Sequence, residues 1–104
     1  MKVKTSFGAH IRFLRKQSGF PIRTVAAAMD LDPSTLSKIE RDERPASREQ
    51  VTSLARLFKI SERELLISYL SDKVVYALQD EDLISDILKA AEQKINYVTG
   101  KKKK

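Results

Sequence analysis

The sequence predicts an all-α protein, and three observations lead to this fold class. In residues 22–41, IRTVAAAMDLDPSTLSKIER, apolar positions follow each other at the three- and four-residue steps of a helix, but the period breaks at residues 30–32 and restarts at about Pro33. All three prolines stand at or just before a predicted helix start. Two Ser-x-x-Gln/Glu patterns, which begin at Ser47 and Ser61, have the spacing of a capping box. A chain with several helix start and stop signals is expected to form several short helices.

Each predicted helix begins or ends at a recognisable residue. Gly19 ends the first helix, and Phe20 and Pro21 turn the chain into the second. Asp32 places a capping carboxylate before Pro33, which stands in the first turn of the third helix. The fourth and fifth helices start at the two capping boxes. The predicted helices therefore span residues 6–18, 22–29, 33–41, 47–58 and 62–70.

The apolar residues of these helices predict one small core. With 104 residues and 41% hydrophobic content, the chain is expected to form a single domain with an appendage. The core side chains share the inward positions of the helical periods, and we assign them to packing without a chemical role. They are Phe7, Ile11, Leu14, Val25, Ala26, Met29, Leu36, Ile39, Val51, Leu54, Ala55, Leu57, Phe58, Ile60, Leu65 and Leu66.

The second and third helices have the pattern of a helix-turn-helix. Val25 and Met29 on one helix and Leu36 and Ile39 on the next fall where two short helices joined by a tight turn touch, and Ala26 is small where they would cross. This motif typically lays its second helix into the major groove of DNA. The pattern therefore predicts a nucleic-acid interface on the helix that starts near Pro33.

The segments IRFLRKQSGF and VAAAMDLDPSTLSKIERDERPAS resemble the Cro/CI-type (lambda repressor-like, XRE) helix-turn-helix family, over roughly residues 7–70. The resemblance implies a five-helix DNA-binding bundle, here with a C-terminal helical extension. Asp30 and Asp42 stand where the family has Gly, and both turns are expected to form at some cost because Asp tolerates a left-handed backbone. Ile22 stands where the family has a Gln that binds a phosphate, so this phosphate contact is in doubt.

The resemblance also implies a structural ion pair between Arg15 on the first helix and Glu40 at the end of the recognition helix. Such a pair would fix the angle between the two helices. If the pair is buried, loss of one partner costs about 3–5 kcal/mol. If it is exposed to solvent, it contributes less than about 1 kcal/mol.

The outward face of the third helix is expected to meet base edges, because Leu36 and Ile39 occupy its other face. The candidates for base contact are Pro33, Ser34, Ser37 and Lys38, with Pro33 limited to apolar contact. Lys38 is the foremost, since Lys donates to guanine O6 and N7, and the alternative is a phosphate contact without sequence information. The candidates for phosphate contact are Arg23, Thr35, Arg41, Arg44 and Arg48, and Arg23 could partly substitute for a phosphate-binding Gln at position 22.

The charge distribution is compatible with a polyanionic partner. The net charge is +6, and residues 1–71 hold 13 basic and 8 acidic side chains against 3 and 6 in residues 72–100. The last four residues are all lysine. Basic surface of this kind releases counterions from DNA, although ordinary surface charge is the alternative explanation.

After Ser71 the sequence predicts an extension rather than more of the core. A short helix is expected at 72–79 and a longer one at 81–98, which carries an apolar face. That face either folds back on the body or pairs with a second chain, and we favour a homodimer. Its predicted interface residues are Ile84, Ile87, Leu88, Ala91, Ile95 and Val98. The predicted domains are therefore 1–71, which binds DNA, 72–99, which dimerises, and 100–104, a disordered basic tail that contacts phosphate or stays solvated.

Nothing in the sequence indicates an enzyme. His10 is the only histidine and there is no cysteine, so no metal or nucleophilic site is expected, and no cofactor. No glycine-rich phosphate loop is present. The absence of a long apolar run predicts neither a membrane span nor a signal peptide, and with the missing cysteines it favours the cytoplasm.

Two functions remain in view. The favoured one, implied by the resemblance, is a bacterial or phage sequence-specific transcriptional regulator, in first place a repressor, that binds an operator on double-stranded DNA as a homodimer. The alternative is a protein-interaction module, antitoxin-like or regulator-binding, that uses the C-terminal helices to hold a protein partner. The operator, the regulated genes and any small-molecule effector are not legible in the sequence.

Overall fold

The computed structural model describes residues 5–100, and the regular secondary structure in that range is entirely helical. The all-α fold class is therefore confirmed. Residues 101–104, the lysines of the predicted basic tail, lie outside the described residues. The helices are α1 (Phe7–Ser18), α2 (Ile22–Ala28), α3 (Pro33–Glu40), α4 (Arg48–Phe58), α5 (Glu62–Leu78) and α6 (Ile84–Thr99).

The chain divides after Val74 into two compact units. In the first unit α2 packs on α3, and α1 packs on both α3 and α4. Its core includes all eight apolar residues predicted for the first three helices, and adds Ala46, which the sequence did not suggest. Leu57, Ile60 and Leu66, predicted as core, are only partly buried and pack against it. The buried apolar set is Phe7, Ile11, Leu14, Val25, Ala26, Met29, Leu36, Ile39, Ala46, Val51, Leu54, Ala55, Phe58 and Leu65.

The helix α5 runs without interruption past the end that the sequence predicted. We expected a helix end at Leu70 and a new helix from residue 72, and this was wrong because α5 continues to Leu78. The hydroxyl of Ser71 donates to the carbonyl oxygen of Ser68 at 3.1 Å, which satisfies this polar side chain inside the helix. Neither Gly nor Pro occurs in this stretch to stop it. The boundary predicted after residue 71 thus falls within α5.

Three helices end at non-glycine residues in the left-handed conformation. Asp30 after α2, Asp42 after α3 and Lys59 after α4 have φ of 60°, 62° and 57°. After α3 the N–H of Asp42 donates to the Ile39 carbonyl oxygen at 3.1 Å. The N–H of Glu43 donates to the Lys38 carbonyl oxygen at 2.8 Å. This is the Schellman arrangement, which usually contains Gly. The two Asp turns form as expected from the tolerance of Asp for this conformation.

The second unit contains the end of α5 and the whole of α6. The helix α6 starts at Ile84 rather than at residue 81, after Leu83 and without a side-chain cap. None of its side chains is buried. Its apolar residues therefore have much of their surface available to solvent.

Candidate nucleic-acid interface

The recognition helix α3 starts and faces outward for local reasons. Asp32 stands at the N-cap with extended backbone angles (φ −72°, ψ 148°), but its carboxylate accepts no capping hydrogen bond, so the predicted capping role of this side chain was wrong. Pro33 occupies the first turn, where its missing N–H has no intrahelical partner to lose. Leu36 and Ile39 are buried and hold one side of α3 against the core. The opposite side is consequently presented to solvent.

The exposed side of α3 carries a row of polar and basic residues. Ser34, Lys38 and Arg41 are exposed and follow each other at four- and three-residue steps, so they lie on one line along the helix. Pro33 is exposed beside them, at the amino end. Ser37 is half-buried, which places it at the flank of this row and not on it. Of the four residues predicted to contact bases, three are therefore freely presented.

A cavity of 210 Å³ lies beside that flank, where α1, α2 and α3 come together. It is lined by Ser37 together with Arg12, Arg15, Ile22, Glu40 and Arg41. Ile22 is half-buried and packs against the core, so its side chain serves packing here. Arg12, which the sequence did not single out, brings an exposed guanidinium to the same cavity.

The Arg15 and Glu40 side chains form a bidentate ion pair at the back of the cavity. Arg15 Nε donates to Glu40 Oε2 at 2.7 Å and Nη2 donates to Oε1 at 3.1 Å. The third guanidinium nitrogen, Nη1, donates to the Phe20 carbonyl oxygen at 3.1 Å. The side chains are only 13% and 4% exposed, and the hydrogen bond to Glu40 raises the Arg15 pKa above its ordinary value. The geometry thus corresponds to the buried form of the pair, and it joins α1, α3 and the turn before α2.

Most of the candidates for phosphate contact are exposed. Arg23 at the start of α2, and Arg44 and Arg48 around the start of α4, are exposed, and Thr35 is half-buried. Exposed guanidinium groups near helix amino ends provide both charge and donors for phosphate oxygens. The structure thus leaves the three arginines accessible to a polyanion.

Arg41 differs because its guanidinium is already bound. Its Nε donates to Glu43 Oε2 at 3.0 Å and its Nη2 donates to Glu43 Oε1 at 3.1 Å. The hydrogen bond raises the Arg41 pKa and lowers the Glu43 pKa, and the nearby charge of Lys38 lowers the latter further. Sequence reasoning assigned Arg41 to phosphate contact without anticipating this carboxylate.

Two carboxylates distant in sequence hold the amino end of α1, and neither was predicted. The Asp42 Oδ1 atom accepts the Gly8 N–H at 3.1 Å, and Asp72 Oδ2 accepts the Phe7 N–H at 2.8 Å. Ser6 Oγ also donates to Asp42 Oδ2, at 2.6 Å. These bonds satisfy donors that have no partner within the helix. They connect Asp42, in the turn after α3, to α1, and they connect α1 to Asp72 on α5.

Gly8 is required by the close approach of α1 to the end of α3. A Cβ atom at Gly8 would overlap the carbonyl oxygens of Ile39 and Glu40. It would also overlap the Asp42 carboxylate that caps α1. The only sequence signal for this contact is a glycine within a helix, which is otherwise unfavourable.

The residues predicted for a dimer interface lie on α6. Ile84, Leu88, Ile95 and Val98 are exposed, and Ile87 and Ala91 are half-buried. Their spacing places all six on one side of the helix.

Within residues 5–100 no three His, Asp or Glu side chains form a group that could hold a metal ion. Nor does this range contain a helix whose length and apolar character would suffice to cross a bilayer.

Comparison with known proteins identifies relatives of this arrangement. A family model described as helix-turn-helix matches residues 11–65. A crystal structure of the clp gene regulator ClgR from Corynebacterium glutamicum is similar at 26% identity, with a TM-score of 0.55, over 69% of this chain and 94% of that one. A second ClgR structure from this organism has 24% identity and a TM-score of 0.57 over 90% and 95%, and supports the fold alone. No curated protein matches the chain.

Proposed function

The chain belongs to the Cro/CI-type helix-turn-helix family of DNA-binding transcriptional regulators, and we propose that it is a repressor that binds its operator as a homodimer. The observation that carries the proposal is the exposed row of Ser34, Lys38 and Arg41 on a helix whose other side is fixed in the core. A helix presented in this way fits the major groove of B-DNA. Occupation of a promoter by such a complex would block transcription.

We assign the reading of bases to the exposed side of α3. Lys38 extends from the middle of the exposed row, and its ammonium group can donate to guanine O6 and N7. Ser34 is exposed on the same line and Pro33 offers only apolar contact, for example to a thymine methyl group. Ser37, being half-buried, would contact DNA only at the edge of the groove.

We assign the anchoring of the sugar-phosphate backbone to Arg23, Arg44 and Arg48, with Thr35 and Arg41 in support. Arg23 lies at the start of α2, Arg44 and Arg48 lie around the start of α4, and Thr35 and Arg41 belong to α3 and its end. All five carry donors that suit phosphate oxygens. Loss of one such cation should reduce the magnitude of the salt dependence by about 0.9 in the slope of log K against log salt. Base preference should not change.

Equilibrium titration of fluorescent duplexes tests this division of labour. The wild-type chain is first used to select its preferred site from bacterial genomic fragments, and affinities are then measured on that site and on each single-base variant. Lys38→Ala should lose about 1–3 kcal/mol on the selected site and lose discrimination at one base pair. Arg44→Ala, the matched control, should weaken binding to all duplexes alike.

The titration has two adverse outcomes. If wild-type protein shows no sequence preference at any salt concentration, the proposed regulator function is wrong. If Lys38→Ala weakens all duplexes equally, as Arg44→Ala does, Lys38 contacts phosphate and the base-reading role is wrong.

We further propose that the apolar side of α6 pairs with α6 of a second chain. Exposed Ile84, Leu88, Ile95 and Val98 would be shielded from water in a symmetric interface. A dimer would bring two copies of α3 to half-sites about one helical turn, roughly 34 Å, apart. The two copies of α3 in one dimer would then each contact one half-site of the same operator.

Sedimentation equilibrium tests the dimer with a pair of variants on opposite sides of α6. Ile95→Glu should yield monomers, whereas Gln93→Glu, which changes charge on the polar side, should leave the dimer intact. If the wild-type chain is monomeric, the dimer is wrong, and the exposed apolar side of α6 then favours the alternative of a module that binds a different protein. That alternative predicts that Ile95→Glu abolishes binding of the partner.

A further inference from the structure

The position of Glu43 is fixed by the backbone at the end of α3. Its N–H donates to the Lys38 carbonyl oxygen at 2.8 Å, and the preceding Asp42 is held in the left-handed conformation. These bonds use main-chain atoms of Glu43 and leave its carboxylate free for other contacts. The Glu43 side chain therefore emerges at a defined place directly after the recognition helix.

The Glu43 carboxylate is paired with Arg41, the last residue of the exposed row on α3. It accepts two hydrogen bonds from Arg41, at 3.0 and 3.1 Å, in the fork geometry with which guanidinium also binds phosphate. Lys38, one turn earlier on α3, is near enough for its charge to act on Glu43. The charge of Glu43 thus acts on both basic residues of the exposed row on α3.

The pair between Arg41 and Glu43 is easily opened. The two side chains are 56% and 54% exposed, so water and salt screen their attraction. Nothing else among the described residues holds the Glu43 carboxylate, since its only hydrogen bonds there are those from Arg41. A phosphate group of DNA can therefore replace it without disturbing the core.

We infer that Glu43 is a built-in competitor for Arg41, which occupies the guanidinium as a phosphate would and lowers the affinity for every DNA sequence equally. The inference rests on the proposed function, because it requires α3 to face DNA. When DNA binds, Arg41 exchanges the carboxylate for a phosphate, and the Glu43 charge remains beside the polyanion. Both effects oppose binding, and neither depends on the bases.

The change in DNA affinity caused by Glu43→Gln can be estimated. Glu43→Gln removes one negative charge from the surface that faces DNA. The net charge that the protein places against the phosphates rises by one, so the slope of log K against log salt should steepen by about 0.9. Relative to equal affinities at 1 M salt, a slope change of about 0.9 gives the variant an affinity about eightfold higher at 0.1 M salt. Discrimination between the selected site and its single-base variants should not change.

The experiment compares Glu43→Gln with Glu64→Gln across a salt series. Both variants remove one exposed carboxylate from the first unit, but Glu64 lies on α5, outside the α2 and α3 motif. Affinities are measured on the selected duplex and on an unrelated duplex. Glu43→Gln should show the steeper slope and the eightfold gain on both duplexes, and Glu64→Gln should change little.

A double-mutant cycle locates the effect on Arg41. In an Arg41→Gln background, Glu43→Gln should give a markedly smaller gain, because the competition has already been removed. A gain equal in both backgrounds, or equal to that of Glu64→Gln, would overturn the inference and indicate net charge alone. Unchanged or weakened binding by Glu43→Gln would also overturn it.

The outcomes for Glu43 and for the proposed function can be told apart. If wild-type protein binds both duplexes equally, the regulator function fails, while the gain of Glu43→Gln is still measured on that non-specific binding. If the chain binds neither duplex, both proposals are wrong. Thermal unfolding by circular dichroism provides the folding control, and Glu43→Gln should leave the midpoint unchanged, since the main-chain bonds after α3 remain.

Discussion

Replacement of Glu40 by alanine is expected to remove a large part of the stability of the first unit. Glu40 is buried, and its carboxylate accepts hydrogen bonds from Arg15 at 2.7 and 3.1 Å. Without it the Arg15 guanidinium stays largely enclosed and keeps one hydrogen bond, to the Phe20 carbonyl. An enclosed charge without its partner is strongly unfavourable.

The expected loss can be bounded from the exposure of the two side chains. Removal of one partner of a buried pair costs about 3–5 kcal/mol. Arg15 retains 13% of its side-chain exposure, so water can partly solvate the orphaned guanidinium and the lower end applies, about 3 kcal/mol. For a domain of this size that loss corresponds to a fall of about 12–24 °C in the unfolding midpoint.

Urea unfolding, followed by far-UV circular dichroism, measures this loss as a change in midpoint with an unchanged slope. The matched control replaces both partners, Arg15→Met with Glu40→Leu, and should recover most of the stability because no charge remains buried. A loss below about 1 kcal/mol for Glu40→Ala would refute the reasoning and show that the pair behaves as an exposed one.

Four further changes test the contacts around α1, α3, α4 and α5 by the same unfolding measurement. Gly8→Ala should lose about 3 kcal/mol, because main-chain atoms of α3 must move, and an unchanged midpoint would contradict the close approach. Lys59→Gly should gain about 1 kcal/mol by relief of its left-handed backbone, whereas Asp42→Gly should show no gain because it also loses the cap on α1. Tyr69→Phe should lose about 1 kcal/mol, since its hydroxyl donates to the Ala46 carbonyl at 2.8 Å, and a neutral result would imply that water replaces that bond.

The starts and ends of α1 to α4 were predictable because their signals are local. Gly19, Pro33 and the capping box of Ser47 with Gln50 each act within one helical turn, and the structure contains all three features. The two Asp turns were predictable for the same reason. Local chemistry thus accounts for the helix-turn-helix and the helices beside it.

The course of α5 could not be predicted from local signals. The composition changes after Ser71, but composition does not end a helix in the absence of Gly, Pro or a capping residue. Asp72 is fixed by the N–H of Phe7, a residue 65 positions earlier. A contact over such a distance leaves no periodic pattern in the sequence.

The exposed face of the site was predictable from the sequence, but the hydrogen bonds between its side chains were not. The burial of Leu36 and Ile39 implied which side of α3 would face solvent, and Lys38 is exposed on that side. The carboxylate of Glu43 on Arg41 depends on the exact direction of the chain after α3. Side-chain pairs in a turn of this kind are decided by backbone geometry that residue types do not specify.

An NMR titration of isotopically labelled protein with its selected duplex gives the most direct view of which surface meets DNA. Amide resonances of Ser34, Lys38 and Arg41 should show the largest changes, followed by those of Arg44 and Arg48. Changes confined to the residues of α6, with the α3 amides unmoved, would contradict the assignment of α3 as the helix that enters the groove.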